Sequence, residues 1–210
     1  MIGYINKNIN DIIKYGLDNA TKYKNANPFP HIVIDDFFDE EVLNKILNDF
    51  PTNIEKIGDK FNNNAELKLS LNNTKKFSSD TNNFINFLNS NLFLEFLQII
   101  TNIDQTLITD PYLQGGGLHE LKNRGFLNIH SDFNKHPKMN LDRRLNILIY
   151  LNKNWEKNNG GQLELWDKDM KKCCQSIIPK FNRMVIFSTT SFSYHGNPNK
   201  VVCRENESRK

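Results

Sequence analysis

After about Asp110 the chain changes texture, and this limits its fold more than any other feature. Short segments follow one another: GFLNIHSDF, RRLNILIYLN, GGQLELWD, QSIIPKF, NRMVIFST and FSYHG. Turn signals stand beside them: DPY, NKHPKMNLD, KNNGG and GNPN. Short β-branched and aromatic runs bounded by Gly, Pro, Asn and Asp read as strands joined by turns. Their spacing predicts a sandwich, barrel or jelly roll.

The first half reads differently. Ile5, Ile9, Ile12, Ile13 and Leu17 recur near helical spacing over residues 5–20. HIVIDDF is short and β-branched and reads as a strand. Asp39 suits an N-cap, Glu40 and Glu41 the first turn of the following helix, and Pro51 its stop. Residues 52–80 are polar and Asn-rich and read as a loop. Thr81 to Thr101 reads as one helix whose stripe of Phe84, Phe87, Leu88, Leu92, Phe96, Ile99 and Ile100 faces a core. With no internal repeat and no hinge-like linker, the expectation is one domain over 1–210. It is α+β and mainly β, with helical support and a leading strand over 1–109 and the β unit over 110–210.

Composition removes several classes of function. A net charge of +3, with no Lys/Arg-rich block, gives no case for a nucleic-acid surface. No apolar run approaches a membrane span, and MIGYINKNINDIIKYG lacks the apolar region of a signal peptide. Three cysteines, Cys173, Cys174 and Cys203, fit reduced thiols and a cytoplasmic setting.

The chemistry concentrates in FLNIHSDF. Side chains alternate along a strand, so His130 and Asp132 share a face while Leu127 and Ile129 take the other. An imidazole and a carboxylate on one face are two members of a 2-His-1-carboxylate triad for Fe(II). H-x-D alone is a weak motif that an exposed polar strand also produces. It needs a third ligand. His31 lies far upstream, and His136 sits in the polar turn NKHPK, where a solvated ring is expected. His119 reads equally as a loop residue or a pocket contact. His195 ends SFSYHG beside a turn.

Here the sequence resembles the iron(II)- and 2-oxoglutarate-dependent oxygenases, in their prolyl 4-hydroxylase-like branch. IHSD and SYHG, YLNKNW, NGGQLELW and the Pro-x-x-x-Arg of IIPKFNR stand in the family's order, and PFPHIVIDDFF is similar to its leading strand. The resemblance implies a double-stranded β-helix, or jelly roll, with helices on one side. It implies Fe(II) on His130, Asp132 and His195, with 2-oxoglutarate, O2 and ascorbate as the further small molecules. Tyr150 matches the tyrosine that contacts the far carboxylate of 2-oxoglutarate. The basic anchor falls on Arg209, with Arg204 as competitor, and the serine that follows the family arginine is missing. The family's next apolar strand is also missing, which implies either a domain cut short at its C-terminus or a sheet open at one edge. Gln114, His119 and Glu120 of LQGGGLHE are expected near the pocket mouth. The Gly115–Gly117 run lacks the strand–helix setting of a phosphate loop. Arg143 is expected to be a solvated strand start.

The implied reaction hydroxylates an unactivated C–H bond of a peptidyl-proline or of a small-molecule or sugar acceptor, releasing succinate and CO2. Two other readings use the same β scaffold. One is a cupin-like metal site in an isomerase or hydrolase, which needs no buried arginine beside Tyr150. The other is a non-catalytic sugar- or protein-binding module, in which the triad does not converge.

Overall fold

Helix caps set the positions of the N-terminal elements. In the computed structural model, which describes residues 3–210, Asp11 accepts hydrogen bonds from Ile13 and Lys14 N–H and starts helix α1 at Ile12–Lys24. The helix therefore begins later than the apolar spacing implies, and Ile5 instead bridges to Phe38. Asp39 caps α2 (Glu40–Asn48) by accepting from Glu41 and Val42 N–H.

The stretch expected as one helix over Thr81–Thr101 is two, α4 (Ser79–Leu88) and α5 (Asn91–Thr101). Ser78 caps the first and Ser90 the second, and the break falls at Asn89–Ser90. Apolar periodicity cannot see this break, because residues on both sides face the same core. Phe84, Phe87, Phe93 and Phe96 are all buried there with Phe37 and Phe38. Their rings interlock, with Phe37 stacked on Phe96 at 5.0 Å and Phe38 edge-on to Phe84 at 5.1 Å.

The loop expected over 52–80 is structured. A short helix α3 (Ile54–Ile57) leads into strands β2 (Asp59–Asn62) and β3 (Glu66–Leu71). The period-2 signal of Leu67, Leu69 and Leu71 was present, but the surrounding asparagines obscured it. The remaining strands are β1 (His31–Asp35), β4 (Leu118–Glu120), β5 (Phe126–His130), β6 (Leu145–Tyr150), β7 (Leu163–Trp166), β8 (Cys173–Ile177), β9 (Arg183–Ser188) and β10 (His195–Asn197).

They form two antiparallel sheets. The smaller has the order β1-β9-β6 and the larger β2-β3-β5-β10-β7-β8, with β4 also paired to β3. This is a double-stranded β-helix, and the alternation of β6 and β9 explains how it is layered. Met184 and Ile186 of β9 join the helical core, with Leu145, Ile147 and Ile149 of β6 packed on it. Val185, Phe187 and Tyr150 face the other way, onto Leu163 and Leu165 of the larger sheet. The helices thus cover the outer face of the small sheet, and the interior between the sheets receives the polar residues of the site. Among the described residues no helix is long and apolar enough to cross a membrane.

Candidate active site

Strand pairing delivers two of the predicted residues to one place. β5 and β10 run antiparallel with His130 directly opposite His195, so their rings lie 4.6 Å apart. Asp132 follows the end of β5 by two residues. Its Oδ1 lies 3.7 Å from His130 Nε2, and its Oδ2 lies 3.6 Å from His195 Nε2. One donor atom from each of the three lies within 4.8 Å of the others.

The ring orientations follow from backbone contacts. His130 Nδ1 lies 2.9 Å from the carbonyl oxygen of Asn128, and His195 Nδ1 lies 2.9 Å from that of Ser193. A carbonyl only accepts, so each Nδ1 carries the proton and each Nε2 turns a lone pair toward Asp132. Burial pushes His195 down to about 4, despite the opposing Asp132 charge. For His130, burial lowers the affinity for a proton, but the contact with Asp132 outweighs it and the net shift is upward. Burial also disfavours the Asp132 anion, but His130, His195 and Arg143 overcome this and hold the carboxyl far below the usual range. Two imidazole nitrogens and an anionic oxygen at one point are a suitable donor set for a divalent first-row metal.

A second cluster lies deeper between the sheets. Tyr150 and Arg209 are both buried, and Arg209 Nη2 donates to Tyr150 Oη at 3.3 Å. Arg209 Nε is buried with no hydrogen-bond partner. An unpaired buried guanidinium N–H is costly and calls for an anion. The structure thus brings Arg209, and not the exposed Arg204, to Tyr150. Backbone pairing with Leu121 holds Arg209 in place, and neighbouring Ser208 donates to Glu120 at 2.7 Å. Gly161 makes room for it, since a Cβ there would come within 2.9 Å of Arg209 Cδ at a φ of +64°.

Other expectations change. His136 does lie in its turn, away from the triad, but it is buried rather than solvated. Its Nδ1 accepts from Lys138 and Met139 N–H, and its Nε2 lies 3.2 Å from Asp110 Oδ1. His31 is buried in β1 beside Phe29. His119 is a strand residue opposite Ser70, and burial together with Lys68 and Arg209 pushes it down to about 4.

Arg143 is not a solvated strand start. It lies 3.4 Å from Asp132 Oδ2 and packs over the Phe133 ring. Arg144, its neighbour, bonds Gln105 on the outside. β6 begins at Leu145, so its alternation does not extend back to the arginines. Sequence reasoning missed Asn146, which donates to Asp132 Oδ2 at 2.8 Å. The signal was available: Asn146 is the one polar residue in LNILIY before Tyr150, and it shares that residue's face.

Comparison with known proteins agrees with this geometry. Residues 116–209 match the 2OG-Fe(II) oxygenase superfamily. The 2OG-Fe(II) oxygenase match spans β4 to Arg209 and so contains both clusters. A 2OG-Fe(II) oxygenase is a 2-oxoglutarate-dependent dioxygenase that uses Fe(II), 2-oxoglutarate and O2.

A mouse protein named prolyl 3-hydroxylase OGFOD1 is 35% identical over 57 residues, 25% of this chain and 10% of that protein. The matched segment is thus a tenth of that relative's length. Among solved structures, a prolyl-4-hydroxylase of Pseudomonas putida aligns with TM-score 0.60 at 12% identity, over 94% of each chain. A Phytophthora capsici prolyl 4-hydroxylase gives TM-score 0.60 at 18% identity, over 94% of this chain and 61% of that one. A Trichoplax adhaerens prolyl hydroxylase, solved with a hypoxia inducible factor peptide fragment, gives 0.56 at 16% identity, over 94% and 86%. At such identities these likenesses establish the jelly-roll fold alone.

Proposed function

We propose that this protein hydroxylates a proline within a polypeptide, using Fe(II) held by His130, Asp132 and His195. The observation that carries the metal reading is the convergence of His130 Nε2, His195 Nε2 and an Asp132 oxygen within 4.8 Å. Tyr150 and Arg209 hold the far carboxylate of 2-oxoglutarate, and the unpartnered Nε of Arg209 supports that role. When bound, the iron and the 2-oxoglutarate supply the oxidising chemistry that turns a C–H bond into C–OH with release of succinate and CO2.

The chain's own contribution is placement. The backbone carbonyls of Asn128 and Ser193 fix the two histidine tautomers, so both rings present lone pairs without a proton having to move. The apolar wall of Phe187, Leu163 and Leu165 keeps water from the inner face of the site. Phe187 packs 4.6 Å from His195.

The relatives are prolyl hydroxylases by name, and exposed aromatics support a polypeptide acceptor. Phe133 directly follows Asp132, and Phe192 stands three residues before His195 and is 64% exposed. Asn134 Nδ2 donates to Ser191 Oγ at 2.7 Å and ties these two segments together beside the triad. The rim thus offers aromatic surface to a chain lying across the site.

The deciding experiment measures succinate release that depends on a proline-containing peptide panel, against free amino acids and sugars. Peptide-dependent turnover, lost in Asp132→Ala, is the expected result. Equal turnover in Asp132→Ala overturns the triad, and turnover only with sugars or free amino acids overturns the acceptor.

A further inference from the structure

The Asp132 carboxylate has two oxygens in unlike surroundings. Oδ2 receives the Asn146 Nδ2–H at 2.8 Å and lies 3.4 Å from Arg143 Nη2. Oδ1 has His130 Nε2 as its ion-pair neighbour, at 3.7 Å, beyond hydrogen-bond length. Oδ2 also lies 3.6 Å from His195 Nε2, so each oxygen faces one histidine and Oδ2 is in addition held by N–H donors.

The donor on Asn146 comes from a rigid place. Asn146 lies within β6, with its backbone opposite Phe187 of β9. Phe187 is the residue whose ring packs on His195. One strand pair thus supports His195 from behind through Phe187 and reaches across the interior to Asp132 through Asn146. Asp132, by contrast, lies beyond the end of β5 and has no ladder of its own. Without the Asn146 hydrogen bond, the longer 3.4 Å contact with Arg143 is left to hold Oδ2 in the triad.

We infer that Asn146 is a positioning residue of the metal centre. It holds Oδ2 so that the Asp132 carboxylate stays turned toward the Nε2 atoms of His130 and His195. A ligating carboxylate that loses such a partner typically costs ten- to a hundredfold in metal affinity. The inference rests on the reading of His130, Asp132 and His195 as ligands, and its test separates the two.

The measurement is Mn(II) affinity of the metal-free full chain, from the free-ion electron paramagnetic resonance signal, alongside its melting temperature. Asn146→Leu keeps the branching and number of side-chain heavy atoms and suits a strand of Leu and Ile. It is expected to weaken Mn(II) binding about tenfold or more with an unchanged metal-free melting temperature. A dissociation constant within twofold of wild type overturns the role of Asn146. Should Asn146→Leu fail to fold, Asn146→Ser carries the same test, because its hydroxyl is too short to reach Oδ2. The same loss is expected, and the same twofold limit overturns the inference. Asp132→Ala runs in parallel. If it binds Mn(II) as tightly as wild type, the ligand reading itself has failed, whatever the Asn146 variants do.

Discussion

At the scale of single residues, the site depends on groups that are buried and only partly satisfied. Tyr150 and Arg209 meet between the sheets, and Arg209 keeps one N–H without a partner. Removing the tyrosine hydroxyl leaves that guanidinium less well placed for a carboxylate. A hydrogen bond to a charged group is worth about 1.5–3 kcal/mol, so Tyr150→Phe is expected to raise KM for 2-oxoglutarate by about tenfold or more. A smaller change in kcat, measured by succinate release at saturating cosubstrate, is expected beside it. Most of these residues were legible in the sequence, because strand alternation and fixed motif order depend on local spacing. Asn146 and Arg143 were not, because their importance lies in contact with Asp132, and that contact crosses between the sheets.

At the scale of elements, the joints between strands and helices are built from polar side chains that replace backbone partners. Asn182, in the turn before β9, holds a φ of 56° and bonds both backbone groups of Phe38. Its Oδ1 accepts from Phe38 N–H at 3.1 Å, and its Nδ2 donates to the Phe38 carbonyl at 2.8 Å. Asn182→Ala strands a buried donor and a buried acceptor in a left-handed backbone position. It is expected to cost about 2–4 kcal/mol in denaturant unfolding.

The β1–β9 ladder also carries a charge pair, Asp35 opposite Arg183, with Arg183 Nη2 to Asp35 Oδ2 at 2.7 Å. That hydrogen bond holds the Asp35 carboxyl below its ordinary value, against a weaker burial effect that raises it. A depressed carboxylate contributes stability that is complete above about pH 4 and is lost as pH falls further. Asp35 is half exposed, so solvent screening keeps the contribution to about 1 kcal/mol or less. Below about pH 4, Asp35→Asn is expected to flatten the fall of melting temperature with acid.

Across the whole molecule, the side chains of the triad come from the larger sheet and its end, while the smaller sheet backs His195 and contacts Asp132. A metal at their junction links the two layers. Binding to the native state alone stabilises it by mass action, by about 2.7 kcal/mol at a hundred times the dissociation constant. Mn(II) is therefore expected to raise the melting temperature of wild type by several degrees and leave that of Asp132→Ala unmoved, as read by calorimetry.

The pattern of short strands and the H-x-D pair on one face were determined by sequence, since each depends on neighbours a few residues apart, while Tyr150 was picked out by its likeness to a family motif. The helix break at Ser90 and the strands within residues 59–71 were local too, but asparagines and a continuous apolar stripe disguised them. Only the tertiary structure decided that His195 stands opposite His130, that Arg209 rather than Arg204 reaches Tyr150, and that Asn146 turns Asp132 toward the histidines. Those contacts join residues far apart in the chain. Their geometry comes from sheet register and from the packing of one sheet over another, which no local periodicity encodes.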